Sequence, residues 1–196
     1  MGLQAALGYR VRPANPAQRA TQRFAATRPG ARLFALTAHP VDGWLLRRTG
    51  GRTSLAGLTA GIPVVTVTAT GRRSGQPRTL PLLGVPVGDD LALVGTNFGR
   101  ASLPAWYLNL AADPHAVVEY RGRRVDVVAR EATGDEWETV MRTAASIYRG
   151  YDAYRARIAG RPIPVLVLTP VADDPSAAAP PTGSGTPADD PRECTP

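Results

Sequence analysis

After Gly61 the chain becomes a succession of short β-branched and apolar runs separated by turns of hairpin length, and this texture restricts its fold more than any other feature. "IPVVTVTAT" reads as a strand. "PRTLPLLGVPV" reads as a second strand whose prolines confine it to an edge or a bulge, because proline gives a sheet no N–H. "LALVGTN" is a third, "HAVVEY" and "RVDVVAREA" form a hairpin around "RGR", and "IPVLVLTP" is a buried sixth. Between them, "LPAWYLNLAADP" has the makings of a short helix stopped by Asp-Pro. "TGDEWETVMRTAASIY" is a longer helix that Thr133 can cap, with Glu136 three residues on completing a capping box. The expected fold is α+β: a small, mainly antiparallel six-stranded barrel with surrounding helices.

The flanks differ from this body. Residues 1–30 read as an irregular basic arm, and the domain runs from 31 to 171. Residues 172–196, rich in Pro, Ala, Gly, Ser and Asp, have too little to bury and are expected to be disordered. Between Ala31 and Leu58 one or two short helices are expected, with Trp44, Leu45 and Leu46 on their packing side. Formal charge is +8 over residues 1–60, +3 over 61–171 and −4 over 172–196. A basic first third suits an acidic ligand or peripheral contact with an anionic membrane; few aromatics and no nucleic-acid module argue against nucleic acid. No run approaches the roughly 18 to 20 apolar residues of a membrane span, and no signal peptide is expected, so the expected location is cytoplasmic.

Several chemistries are excluded by what the chain lacks. All 23 basic residues are arginine, so no Walker lysine, Schiff-base lysine or lysine general base exists. The single cysteine, Cys194, has no partner for an internal disulfide. His39 and His115 stand apart, and no cluster has metal-ligand spacing. Asp89-Asp90 read as a turn and Asp135-Glu136 as a helix's first turn. If the protein is an enzyme, a cofactor carries the chemistry.

Three stretches are candidates for holding one. In "GRRSGQPR", Gly71 and Gly75 permit close backbone approach, and Ser74 with the turn's N–H groups offers an anion-binding nest. Arg72, Arg73 and Arg78 add fork-shaped positive charge, and no acidic residue lies between Gly61 and Gly88 to neutralise them. A solvated turn and a phosphate cradle both account for these residues. In "LVGTNFGRASLPAWYLNL", a strand ends in Thr96, Asn97, Phe98 and Gly99, a small loop able to lie against a flat heterocycle. Trp106 and Tyr107 follow as core aromatics and Asn109 as a surface or capping residue. In "IYRGYDAY", Tyr148, Tyr151 and Tyr154 at helical spacing fan across about 120° of one face. They suit either a face packed on the barrel or a pocket wall offering phenol hydroxyls.

In this order, "TGRRSGQPRTLPLL", "LALVGTNFG", "PAWYLNLAADP" and the tyrosines before "RPIPVLVLTP" resemble the deazaflavin (coenzyme F420)-dependent nitroreductase family, with its split β-barrel flavin-binding fold. The resemblance runs from about Gly61 to Pro170. It implies that Arg72, Arg73, Ser74 and Arg78 hold the cofactor's phosphate and acidic tail, and that Thr96, Asn97, Phe98 and Gly99 line its ring and linker. It implies further that Trp106, Tyr107 and Asn109 complete the groove, and that Tyr148, Tyr151 and Tyr154 form the catalytic, substrate side. The expected activity is hydride transfer from reduced F420 to a small enone, quinone or nitroheterocycle. FMN on the same fold and a non-catalytic ligand-binding module are the alternatives. Where family members often carry Ser-Lys-Gly-Gly, this chain has Thr96-Asn97-Phe98-Gly99, and Leu83 stands where an aromatic is common.

Overall fold

A computed structural model describes residues 1–27, 29–30, 33, 41, 45, 48–49, 55–158 and 160–171. Trp44, Leu46, His39 and the tail 172–196 lie outside the described residues. The order of elements is α1 (Leu3–Leu7), α2 (Pro16–Ala26), α3 (Leu55–Ala60), β1 (Val64–Thr70), β2 (Pro77–Leu83), β3 (Val85–Val87) and β4 (Asp90–Val94). There follow α4 (Ala105–Ala112), β5 (His115–Tyr120), β6 (Arg123–Glu131), α5 (Gly134–Ile147), α6 (Gly150–Arg157) and β7 (Val165–Pro170). No helix among the described residues is long and apolar enough to cross a membrane.

The strands form one antiparallel sheet in the order β2-β1-β5-β6-β7-β4-β3. There are seven strands where six were expected, because the run "PRTLPLLGVPV" breaks at Gly84 into β2 and β3. That break sets the architecture. β2 and β3 are opposite edges of the sheet, yet a single residue joins them in the chain. The sheet can satisfy both facts only by curling until its edges meet at Gly84. Pro77 and Pro81 sit on β2 as an edge strand allows.

The curl leaves an inside and an outside, and strand patterning follows it. On β1 and β5, alternate residues Val65, Val67, Ala116 and Val118 turn into the barrel. β4 and β7 are buried on both faces, which explains their unbroken apolar runs. Leu91, Leu93, Leu166 and Leu168 fill the barrel, while Ala92, Val94, Val165 and Val167 meet α5 and α6 outside.

Residues 1–30, read from the sequence as irregular, carry two helices. α1 is five residues long and too short to hold itself together, but Leu3 and Leu7 are fully buried in the barrel core. Burial of each contributes about 1.5–3 kcal/mol. Its docking is polar as well: Leu3 N–H donates to Asp90 Oδ1 at 3.0 Å, and Gln4 Nε2 donates to the Gly88 and Asp90 carbonyls at 2.9 Å each. Tyr9 then lays its hydroxyl 2.5 Å from the Gly84 carbonyl and 3.2 Å from that of Pro63, pinning the seam of the barrel. α2 starts with a complete capping box, Asn15 with Gln18, and Pro16 in the first turn.

The capping box expected on α5 does not form. Thr133 occupies the N-cap without a side-chain bond, and Glu136 turns instead to Arg130 in a two-pronged ion pair at 2.6 and 2.7 Å. The guanidinium offers two charge-assisted bonds where the cap offers one amide, and the pair holds the Glu136 carboxyl below its ordinary pKa.

Candidate active site

The β1–β2 turn, residues 71–76, is closed by its own backbone. Gly71 N–H donates to the Gln76 carbonyl at 2.9 Å, and the Ser74 and Gly75 amides both donate to the Gly71 carbonyl, at 3.0 and 2.8 Å. Gly75 has φ +64°, a conformation that glycine adopts without penalty. The Arg72 amide is accepted by Asn109 Oδ1 at 3.2 Å, which ties the turn to α4. Most of the amides of the expected nest are therefore spent inside the turn. What remains for an anion is side-chain charge: Arg72 and Arg73 make no side-chain hydrogen bond or ion pair with the described residues. Arg78 Nη2 donates only to Ser74 Oγ, at 3.3 Å.

β2 leads from this turn to a cavity of about 370 Å³. Leu80 and Leu82 from β2 form one wall, the loop after β4 another, and Trp106 with Tyr148, Tyr151 and Tyr154 the remainder. Of the residues expected in the site, Thr96, Asn97, Phe98, Trp106 and the three tyrosines come together here. Gly99, Tyr107, Asn109 and the arginines do not line it. Gly99 backs the loop onto α6, where an added Cβ would lie 3.2 Å from Arg157 Cδ. Tyr107 faces away and shares a 2.5 Å hydrogen bond with Glu131 Oε1, which raises the phenol pKa. No charged side chain is among the described lining residues.

The loop that enters the cavity is strained. Asn97, Phe98 and Gly99 have φ of +48°, +56° and +80°, three left-handed residues in succession. Glycine accepts this freely and asparagine tolerates it, helped here by bonds from Asn97 Nδ2 to Ser102 O and Oγ at 3.0 and 3.1 Å. For Phe98 the conformation costs about 1–2 kcal/mol. Its ring stands edge-on to Tyr154 with centroids 6.3 Å apart. Thr96 beside it is buried, and its hydroxyl bonds no described residue.

The tyrosines do not occupy one helix face as their spacing suggested. Tyr148 ends α5 in an extended conformation, φ −143°, while Tyr151 and Tyr154 belong to α6. The break folds Tyr148 back so that all three rings meet edge to face, centroids 5.9–6.4 Å apart. The Tyr148 and Tyr154 hydroxyls are 3.1 Å apart. Burial pushes all three phenol pKa values up, against which the nearby Arg157 pulls Tyr148 and Tyr154 partly back. They are neutral hydrogen-bond donors throughout the physiological range. Arg157 also fixes α6 to α2 by donating to the Ala26 carbonyl at 2.5 Å.

β2 joins the cationic turn to the uncharged aromatic chamber. A model of the F420H(2)-dependent quinone reductase family matches residues 31–170, more than half of the chain. The chain belongs to this family. Among its relatives, an F420H(2)-dependent quinone reductase of Mycobacterium tuberculosis is 31% identical over 113 residues, covering 55% of this chain and 73% of the relative. A solved F420-H2-dependent reductase, FDR-A, is 34% identical with a TM-score of 0.50, covering 54% of this chain and 93% of its own. A second solved structure, described as a domain-swapped dimer, is 30% identical with a TM-score of 0.52 over 64% of this chain and 97% of its own. Family membership makes the protein an F420H2-dependent oxidoreductase on a split β-barrel, with coenzyme F420 as its cofactor and a small molecule as its substrate. Leu3, Leu7 and Tyr9 precede the residues matched by the family.

Sequence reasoning missed the apolar walls: Ile62, Val64, Leu80, Leu82, Pro104 and Ala105. Their signal was the switch from charged to apolar residues along β2, which reads equally well as ordinary strand burial.

Proposed function

We propose that the protein reduces a neutral quinone by hydride transfer, with the deazaflavin ring in the cavity and the cofactor's acidic tail at the arginine turn. The observation that carries this reading is the course of β2. Arg78 lies near one end and Leu80 to Leu83 line the cavity at the other, so about 7 Å of strand separates Arg78 from the first lining residue and about 17 Å from the last, at 3.3 Å per residue. A ligand with a flat neutral head and an anionic tail matches that separation. The unpaired guanidinium groups suit a phosphate and carboxylates, while the uncharged walls suit the ring.

When bound, reduced F420 supplies the hydride. The protein's own contribution is placement and surroundings. Apolar walls exclude water and hold an acceptor flat. The Thr96 and Tyr151 hydroxyls, unbonded to any described residue, are positioned to donate to acceptor oxygens as negative charge develops there. Tyr148 and Tyr154 line the same wall, with Tyr154 donating to the Ala25 carbonyl at 3.5 Å and Tyr148 to Tyr154 at 3.1 Å, so this pair shapes the wall and leaves donation to Thr96 and Tyr151. With its pKa raised by burial, the Tyr151 phenol stabilises charge as a hydrogen-bond donor, and the net proton comes from solvent. A quinone accepts charge on two well-separated oxygens able to take hydrogen bonds, where an enone has one, and the family matched over residues 31–170 is one of quinone reductases, which is why we favour it over a nitro compound.

Titration with F420 tests the reading. Arg72→Ala and Arg78→Ala should each weaken binding about 5- to 10-fold at low salt, the worth of one charge-assisted contact at an exposed site, with the difference shrinking as salt rises. Wild-type affinity in both variants would place the acidic tail elsewhere.

A further inference from the structure

We infer that Phe98 is a size gate for the acceptor, restricting the chamber to small, flat quinones with no bulky ring substituent. The inference rests on the proposed reading of the cavity as the chamber where the acceptor lies. Three observations meet at this residue. Phe98 holds φ +56° between Asn97 and Gly99, two residue types that enter the left-handed region far more readily. Its ring is spent on the cavity wall, edge-on to Tyr154 at 6.3 Å. It stands next in sequence but one to Thr96, a buried residue that lines the same cavity and whose hydroxyl bonds no described residue. A residue the backbone disfavours has thus been put where only its ring can matter, beside the hydroxyls that would receive the acceptor. The ring occupies space on the tyrosine side of the chamber that an acceptor's substituent would otherwise fill, and being apolar it adds no charge to discriminate by. Selection falls on size alone.

The test uses Phe98→Gly and Phe98→Ala in the 196-residue chain. Naphthoquinone and a phenyl-substituted naphthoquinone are titrated against each protein, without and with F420, reading the intrinsic fluorescence to which Trp106 in the cavity wall contributes. The wild type should bind the unsubstituted compound and discriminate against the phenyl derivative by about tenfold or more, and both variants should erase most of that discrimination. Phe98→Gly should also melt above Phe98→Ala, reversing the usual order, because only glycine is at ease at this φ. If the wild type does not discriminate, or if both variants keep its discrimination, Phe98 is not the gate. Because Phe98 also lines the cavity proposed for the deazaflavin ring, F420 affinity should weaken in both variants, and the discrimination ratio taken without F420 is independent of that loss. Failure of all three to bind F420 would overturn the cofactor reading instead, and the titrations without F420 would still decide the gate.

Discussion

Gly150 opens α6 directly against the ring of Tyr148, and replacing it with alanine tests whether the tyrosine cluster is as tightly built as its geometry indicates. A Cβ added at Gly150 would fall 2.5 Å from Tyr148 Oη and closer still to two ring carbons, where ordinary contact begins at about 3.4 Å. The ring cannot swing into solvent. It is 7% exposed and held edge-on by Tyr151 and Tyr154. Overpacking of this kind costs about 1–3 kcal/mol. Displacing the ring also breaks the 3.1 Å bond between the Tyr148 and Tyr154 hydroxyls, worth about 1 kcal/mol. Against this stands the helix propensity of alanine over glycine, at most about 1 kcal/mol and less at a first helical position. The balance is a loss of about 2 kcal/mol, or roughly 4–8 °C in Tm for a chain of this size. Thermal unfolding followed by circular dichroism measures it. A Tm equal to or above the wild type would show that propensity outweighs the clash and that the cluster yields readily, and the reasoning from close packing would fail.

Removing the hydroxyl in Tyr9→Phe leaves the buried Gly84 carbonyl without its donor, while Pro63 keeps the Gly84 amide at 3.4 Å, and should cost about 1–3 kcal/mol, read as a lower denaturation midpoint. Burial raises the pKa of Tyr9, Tyr148, Tyr151 and Tyr154 above the ordinary phenol value of about 10. Their contribution is complete below that value, and stability should fall as pH rises beyond it, by about 1.4 kcal/mol per pH unit for each phenol ionised only in the unfolded chain. Ultraviolet absorbance should show these four ionising together with unfolding, and ionisation ahead of unfolding would contradict their burial. Asn109→Ala releases the arginine turn from α4 and should weaken F420 binding about fivefold with Tm nearly unchanged, since the bond is exposed.

The strands, the longer helices and most of the cavity's polar residues were legible because each follows from a local rule. Alternation marks β1 and β5, prolines place β2 at an edge, and Asp-Pro stops α4. The misses are cases where distant groups decide. Thr133 has the right neighbours for a capping box, but Glu136 is drawn to Arg130, six residues earlier on another element. Tyr148 fits a helical spacing with Tyr151 and Tyr154, and the helix breaks between them because their rings meet better across a bend. α2 is the opposite case: Asn15-Pro16-Ala17-Gln18 announces a helix start in plain local terms, and a basic, proline-bearing context obscured it. α1 carries no such signal, since five residues form a helix only when a barrel is there to receive Leu3 and Leu7.

That last dependence has a kinetic consequence. The amide of Leu3 bonds a carboxylate 87 residues further along, and the hydroxyl of Tyr9 a carbonyl 75 residues away. Contacts of such separation reward the chain only after their long loops have closed, and they slow folding accordingly. During translation at about 5–20 residues per second, Leu3 and Leu7 wait on the order of ten seconds for the strand that will cover them. A segment made well before the strands that cover it is thus among the last to find its place, and it is here that refolding should be slowest.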